Sequence, residues 1–88
     1  MDAREAYQTI LSALDADPRK RVVSSRFEEA NFGNFVIGFE DEGRAKSILH
    51  DRGELVLCND LHGNQDCTTA LASLATADQP TALRALNL

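Results

Sequence analysis

Two tripeptides ten residues apart, Asp41-Glu42-Gly43 and Asp51-Arg52-Gly53, constrain this chain more than any other feature. Glycine enters the positive-φ region at little cost, so its place as third residue predicts two three-residue hairpin loops. Between them Arg44 to His50 is the length of one strand. Counting outward then pairs Glu40 with Arg44 and His50 with Glu54. One face of the resulting sheet carries Phe35, Leu49 and Leu55, then Ile37, Ser47 and Leu57, then Phe39, Ala45 and Asn59. The opposite face carries Val36, Ile48 and Val56, with Gly38, Lys46 and Cys58, and with Asn34, His50 and Glu54. The first face has the larger side chains and is the expected core.

The flanking segments follow the same logic. From Asp2 to Asp15 the residues Ala3, Ala6, Tyr7, Ile10, Leu11 and Leu14 recur at helical spacing, Asp2 is a cap, and Asp17-Pro18 marks the end. Arg21 to Phe27, Asn34 to Glu40 and Glu54 to Cys58 read as strands. Leu61 to Gln65 is a loop by composition. Asp66 is expected to cap a helix from Cys67 to about Ala75, and a second short helix is expected from Pro80, presenting Leu83 and Leu86. The expectation is an α+β fold in one domain over residues 1–88: an N-terminal helix, a four-stranded antiparallel meander and one or two C-terminal helices, in the order α-β-β-β-β-α-α.

Charge narrows the partners. Nine Lys and Arg against 14 Asp and Glu leave a net charge of −5, which disfavours nucleic acid and anionic membranes, since both select basic surfaces. A protein partner, basic in character, fits better, and a homodimer is a second option. Met1 to Tyr7 is polar and no apolar run approaches the roughly 20 residues of a membrane span, so the expected location is cytoplasmic. Two cysteines, Cys58 and Cys67, are too few for a disulfide scaffold, and in a cytosol both are expected as thiols.

Several constellations combine residue types that could carry chemistry. Asp60, His62, Asn64 and Asp66 alternate like the start of a calcium loop, but Gly63 falls at the fourth position and Leu71 at the twelfth, where a glutamate belongs. Cys58, Cys67, His50 and His62 lack the spacing of a zinc clamp. Cys67 with His62 and Asp60, or Cys58 with His50 and Asp51, would form a nucleophile, base and orienter only if the fold brought them together. The expectation is therefore no catalytic, cofactor or metal residue, with a thiol- or metal-dependent enzyme as the remote alternative.

What remains is surface. Glu28-Glu29 and Glu40-Asp41-Glu42 are acidic turns able to steer a basic partner. Val36, Ile48 and Val56 form an apolar strip rimmed by Lys46, His50, Glu54 and Arg26. Left uncovered, such a strip marks a protein contact or a dimer interface.

The segment Arg21-Val22-Val23-Ser24-Ser25-Arg26-Phe27, then Phe32-Gly33-Asn34, Phe39-Glu40, and Asp51-Arg52-Gly53-Glu54 with Leu55-Val56-Leu57, resembles small bacterial proteins that include toxin-immunity-type members. The likeness covers residues 20–58, and this chain has a shorter C-terminal part. It implies a stoichiometric inhibitor or regulator that binds a protein, and it carries no functional residues with it.

Overall fold

A computed structural model describes all 88 residues. Helix α1 (Ala3–Asp15) leads into five strands, β1 (Lys20–Glu28), β2 (Asn34–Asp41), β3 (Arg44–Asp51), β4 (Glu54–Cys58) and β5 (Thr68–Leu71), and helix α2 (Gln79–Ala85) ends the chain. The strands form one antiparallel meander in chain order, with β1 and β5 at its edges. The α+β class and the meander stand as expected.

The helices start where side-chain caps permit. Asp2 accepts the Glu5 N–H at 2.8 Å to open α1, and Asp78 accepts the Thr81 N–H at 2.9 Å to open α2, with Pro80 in its first turn. α1 buries Ala6, Ile10 and Leu14 against the sheet, four residues apart on one stripe. Each large side chain so buried stabilises by about 1.5–3 kcal/mol. Phe35, Ile37, Phe39, Ile48 and Leu55 meet them from the sheet, and Leu74, Ala82 and Leu86 close the core from the C-terminal side.

Both hairpins differ from the three-residue expectation. Asp41 pairs with Arg44 and Asp51 with Glu54, so each loop has two residues. Glu42 and Gly43 have φ of 52° and 83°, and Arg52 and Gly53 have 53° and 81°, the two consecutive positive values of a type I′ turn, whose twist matches the strands. The register therefore moves by one on each side of β3. Phe35 opposes His50, which opposes Leu55, and Ile37 opposes Ile48, which opposes Leu57. The two shifts cancel between β2 and β4, whose faces are as expected, while β3 turns over entirely.

The C-terminal half also departs from expectation. Instead of a helix from Cys67 to Ala75, Thr68–Leu71 adds a fifth strand to the free edge of β4, with Leu57 opposite Thr68 and Leu55 opposite Leu71. Cys58 and Cys67 are joined in a disulfide rather than being free thiols. They occupy the next opposed position beyond Leu57 and Thr68, so the bond clips the end of the β4–β5 ladder.

Candidate binding surface

The disulfide encloses an eight-residue loop, Asn59 to Asp66, which folds over the sheet face remote from α1. Asp60 organises it by accepting the N–H groups of His62, Asn64 and Gln65 at 3.1, 2.8 and 3.0 Å. Desolvation alone would raise the Asp60 carboxyl, but these three backbone donors, with the nearby His62, hold it below its ordinary range. The alternating polar residues noted in the sequence are thus a loop built around one carboxylate, and no cluster of three His, Cys, Asp or Glu side chains converges as a metal-binding group.

Gly38 and Gly63 let this loop approach. A Cβ at Gly38 would lie 2.6 Å from the Leu61 carbonyl oxygen, and one at Gly63 would lie 2.5 Å from the Leu49 side chain. The loop therefore covers Gly38 and Leu49 directly. Val36 keeps partial exposure beside it, at the floor of a groove of about 330 Å³ lined by Ser24, Ser25, Arg26 and His62.

The strip inferred from the sequence is not assembled. Ile48 is fully buried on the opposite, core face, because the type I′ register turns β3 over. Leu49 takes its place between Val36 and Val56. His50 follows Ile48 to the core face, where it is 7% exposed, stacks on Phe35 with ring centres 5.5 Å apart, and donates from Nδ1 to the Gly33 carbonyl at 3.0 Å. Glu54 stands half-buried opposite Asp51 at the second turn.

The acidic turns are on the surface but internally matched. Glu40 pairs with Arg21 at 2.6 Å; Asp41 lies 3.8 Å from Lys20 and 3.5 Å from Lys46. Glu28 pairs with Arg26 at 3.2 Å and accepts from the Asn31 amide, and Glu29 pairs with Arg4. Glu42 stays exposed at the turn tip without an ion pair within contact range. Beside the tip of the same hairpin, where the Glu42 N–H donates to the Arg19 carbonyl at 2.9 Å, bonds from Arg19 and then Lys20 hold Asp17 far below the usual carboxylate range. Acidic and basic groups thus alternate over this end of the sheet.

The feature that sequence reading missed is Phe32. It sits in the connection from β1 to β2, after the 3₁₀ turn Glu29–Asn31, and is 96% exposed. Its backbone is left-handed, with φ 57° and ψ 27°, and Gly33 follows at φ 75°. Two anchors hold that geometry: the Gly33 N–H donates to the Glu28 carbonyl at 3.2 Å, and His50 holds the Gly33 carbonyl from below. A Cβ at Gly33 would lie 2.7 Å from Ala3, so only glycine fits there. A left-handed non-glycine residue costs about 1–2 kcal/mol. Exposing its ring forgoes another 1.5–3 kcal/mol of burial. The signal available in the sequence was the pair Phe32-Gly33 between strands, which reads first as turn chemistry.

Comparison with protein-family models, curated proteins and solved structures finds no match to this chain. No helix of the structure is long and apolar enough to cross a membrane.

Proposed function

We propose that this chain is a protein-binding module of the inhibitory or regulatory kind, acting by stoichiometric association, and that Phe32 is its anchor. The observation that carries this reading is an aromatic ring presented to solvent on a strained backbone that the core itself supports. Neither the strain nor the exposure helps the chain fold. Strain and exposed aromatic area both concentrate where proteins are recognised. Net charge −5 adds a bias toward a basic partner, whose side chains would exchange with exposed ion pairs at Glu28, Glu29 and Glu40 that contribute about 0–1 kcal/mol each. The toxin-immunity likeness points the same way, since such proteins work by tight one-to-one contact.

The Cys58–Cys67 bond adds a condition on where this happens. Cytosolic thiol pools open such bonds and oxidising compartments keep them, so the clasped form is assigned to an oxidising setting rather than to the cytoplasm expected from composition.

The reading is tested by comparing the wild-type chain with Phe32→Ser, both immobilised in the oxidised form, for proteins captured from the source cells and for association of the pure chain with itself. An association that the substitution abolishes while the melting temperature holds supports the reading. Equal association by both chains, or none in either assay, overturns it.

A further inference from the structure

Building on that reading, we infer that the basic partner docks as an extended segment, adding its own strand to the β1 edge alongside Ser24 to Phe27. β1 and β5 are the two ends of the sheet. β5 has only four residues, and the cysteine before it is tied to β4. β1 has nine, and beyond the irregularity between Val22 and Ser24 its register runs without a shift from Ser24 opposite Gly38 to Glu28 opposite Asn34. Proteins blunt their sheet edges with bulges and charges. Here the bulge at Val23 and the paired Lys20 and Arg21 guard the start of the strand. The regular run after them is left open, with Ser24, Ser25 and Arg26 all exposed.

Hydrogen-bond alternation fixes which peptide groups of that run are free. The two-residue hairpin makes Asp41 and Arg44 a bonded pair, so Gly38 and Val36 of β2 turn their peptide groups toward β1. Ser24 and Arg26, their partners, bond inward. The N–H and C=O groups of Ser25 and Phe27 therefore face outward, two residues apart, which is the spacing an incoming extended backbone satisfies.

Side chains of an added strand alternate between the two faces of the sheet, and each face has a groove beside this edge. On the loop side Ser24 and Arg26 border the groove of about 330 Å³ that Val36 floors and His62 lines. On the α1 side, which Ser25 and Val22 share with Ile37 and Phe39, a groove of about 310 Å³ is lined by Leu11, Ser12, Asp15 and Val22. The two differ in charge. Asp15 is exposed and enters none of the ion pairs of the chain. The α1 side thus suits a lysine or arginine whose apolar stem lies on Leu11 and Val22. The loop side offers no acid, and Arg26 there is already paired with Glu28, so it suits an uncharged side chain. The segment that fits alternates basic and uncharged residues. A second copy of the chain, itself at net charge −5, is disfavoured by repulsion.

A phage-displayed library of random decapeptides, selected on the immobilised oxidised chain, tests this, with the enriched sequences then made as free peptides. They are expected to carry Lys or Arg at alternate positions and to slow amide exchange at Ser25 and Phe27. N-methylation of the peptide should abolish binding at every second residue and be tolerated between. Because the Ser25 N–H faces outward, Ser25→Pro removes no bond of the sheet, a placement edge strands tolerate. It should weaken peptide binding about tenfold with the melting temperature kept. Asp15→Asn should weaken it about two- to fivefold at low salt. If Ser25→Pro fails to fold, the two-residue period of N-methylation carries the test. No enriched peptide, N-methylation effects without that period, or undiminished binding to folded Ser25→Pro overturns the inference. For proteins captured from the source cells, a capture that Phe32→Ser abolishes and Ser25→Pro leaves intact overturns the edge pairing alone. A capture indifferent to Phe32→Ser overturns the Phe32 reading instead.

Discussion

Replacing Gly38 by alanine tests the clasped loop at its tightest point. Gly38 has an ordinary strand backbone and sits in the middle of β2, where alanine would normally recover about 0.5–1 kcal/mol of chain entropy. Here the new methyl would lie 2.6 Å from the Leu61 carbonyl oxygen and 2.8 Å from Ser24 Oγ. The Ser24 hydroxyl can rotate away. The Leu61 carbonyl belongs to a loop held by the disulfide and by Asp60, so the loop must retreat by about 0.5–1 Å to regain ordinary contact. Overpacking of this sort costs about 1–3 kcal/mol. Set against the entropy gain, Gly38→Ala should destabilise by about 1–2 kcal/mol, lowering the melting temperature by about 4–16 °C for a domain of this size. The decisive measurement is a cycle with Cys58→Ala and Cys67→Ala, followed by thermal and urea unfolding. With the clasp open the loop can move, and the cost of Gly38→Ala should fall below about 0.5 kcal/mol or change sign, a coupling expected only between contacting sites. An oxidised Gly38→Ala protein as stable as wild type, or an equal loss in both backgrounds, would refute the reasoning.

Three further outcomes follow from the same face. Opening the Cys58–Cys67 bond, whose cysteines are nine residues apart, should cost about 2.5 kcal/mol by the chain-entropy relation, read as a lowered urea midpoint with little change in slope; an unchanged midpoint would contradict a closed clasp. Ser47 is fully buried with no partner for its hydroxyl, so Ser47→Ala should stabilise by about 1 kcal/mol, seen as a higher melting temperature, and a lower one would mean that the hydroxyl is bonded. The Asp60 carboxyl titrates below its ordinary 3.8 in the folded chain, so its contribution is complete above the unfolded value and disappears only as pH falls through the lower folded value. Amide exchange at His62, Asn64 and Gln65 should stay protected at pH 3.8, and Asp60→Asn should raise it at neutral pH.

The meander was legible because its information is local and redundant. Two glycine turns and the alternation of Phe35, Ile37 and Phe39 identify three consecutive strands and the core face of β2 without any tertiary input. The register of β3 was not legible, for a physical reason. Asp-Glu-Gly and Asp-Arg-Gly serve either a three-residue loop with glycine at the bulge or a two-residue turn with Glu42 and Arg52 in the left-handed region, which is unusual for those side chains. Burial does not break the tie within β3 itself, because Ile48 on one face is balanced by Leu49 on the other. The choice is settled by partners remote in sequence: α1 offers Ile10 and Leu14 to one face, and the loop offers only a backbone carbonyl and Gly63 to the other. Likewise Thr68 to Leu71 is a strand because β4 has a free edge and Cys67 is tied beside it, neither of which is visible in a segment whose continuation, Ala70 to Ala75, reads as helix.

The candidate surface was legible in inverse proportion to its dependence on that register. Glu28, Glu29, Glu40, Asp41 and Glu42 are turn and strand-end residues, and they are at the surface wherever β3 falls. Ile48 and His50 belong to β3, so one residue of slip carried them from a supposed docking face into the core. The same slip explains why Phe32 was overlooked. Its significance depends on His50, which reaches the Gly33 carbonyl only from the core face and there supports a turn that would otherwise relax. Once β3 is placed correctly, an ordinary Phe-Gly connection becomes a braced, exposed aromatic, and the centre of the binding reading moves from the middle of the sheet to the connection between β1 and β2.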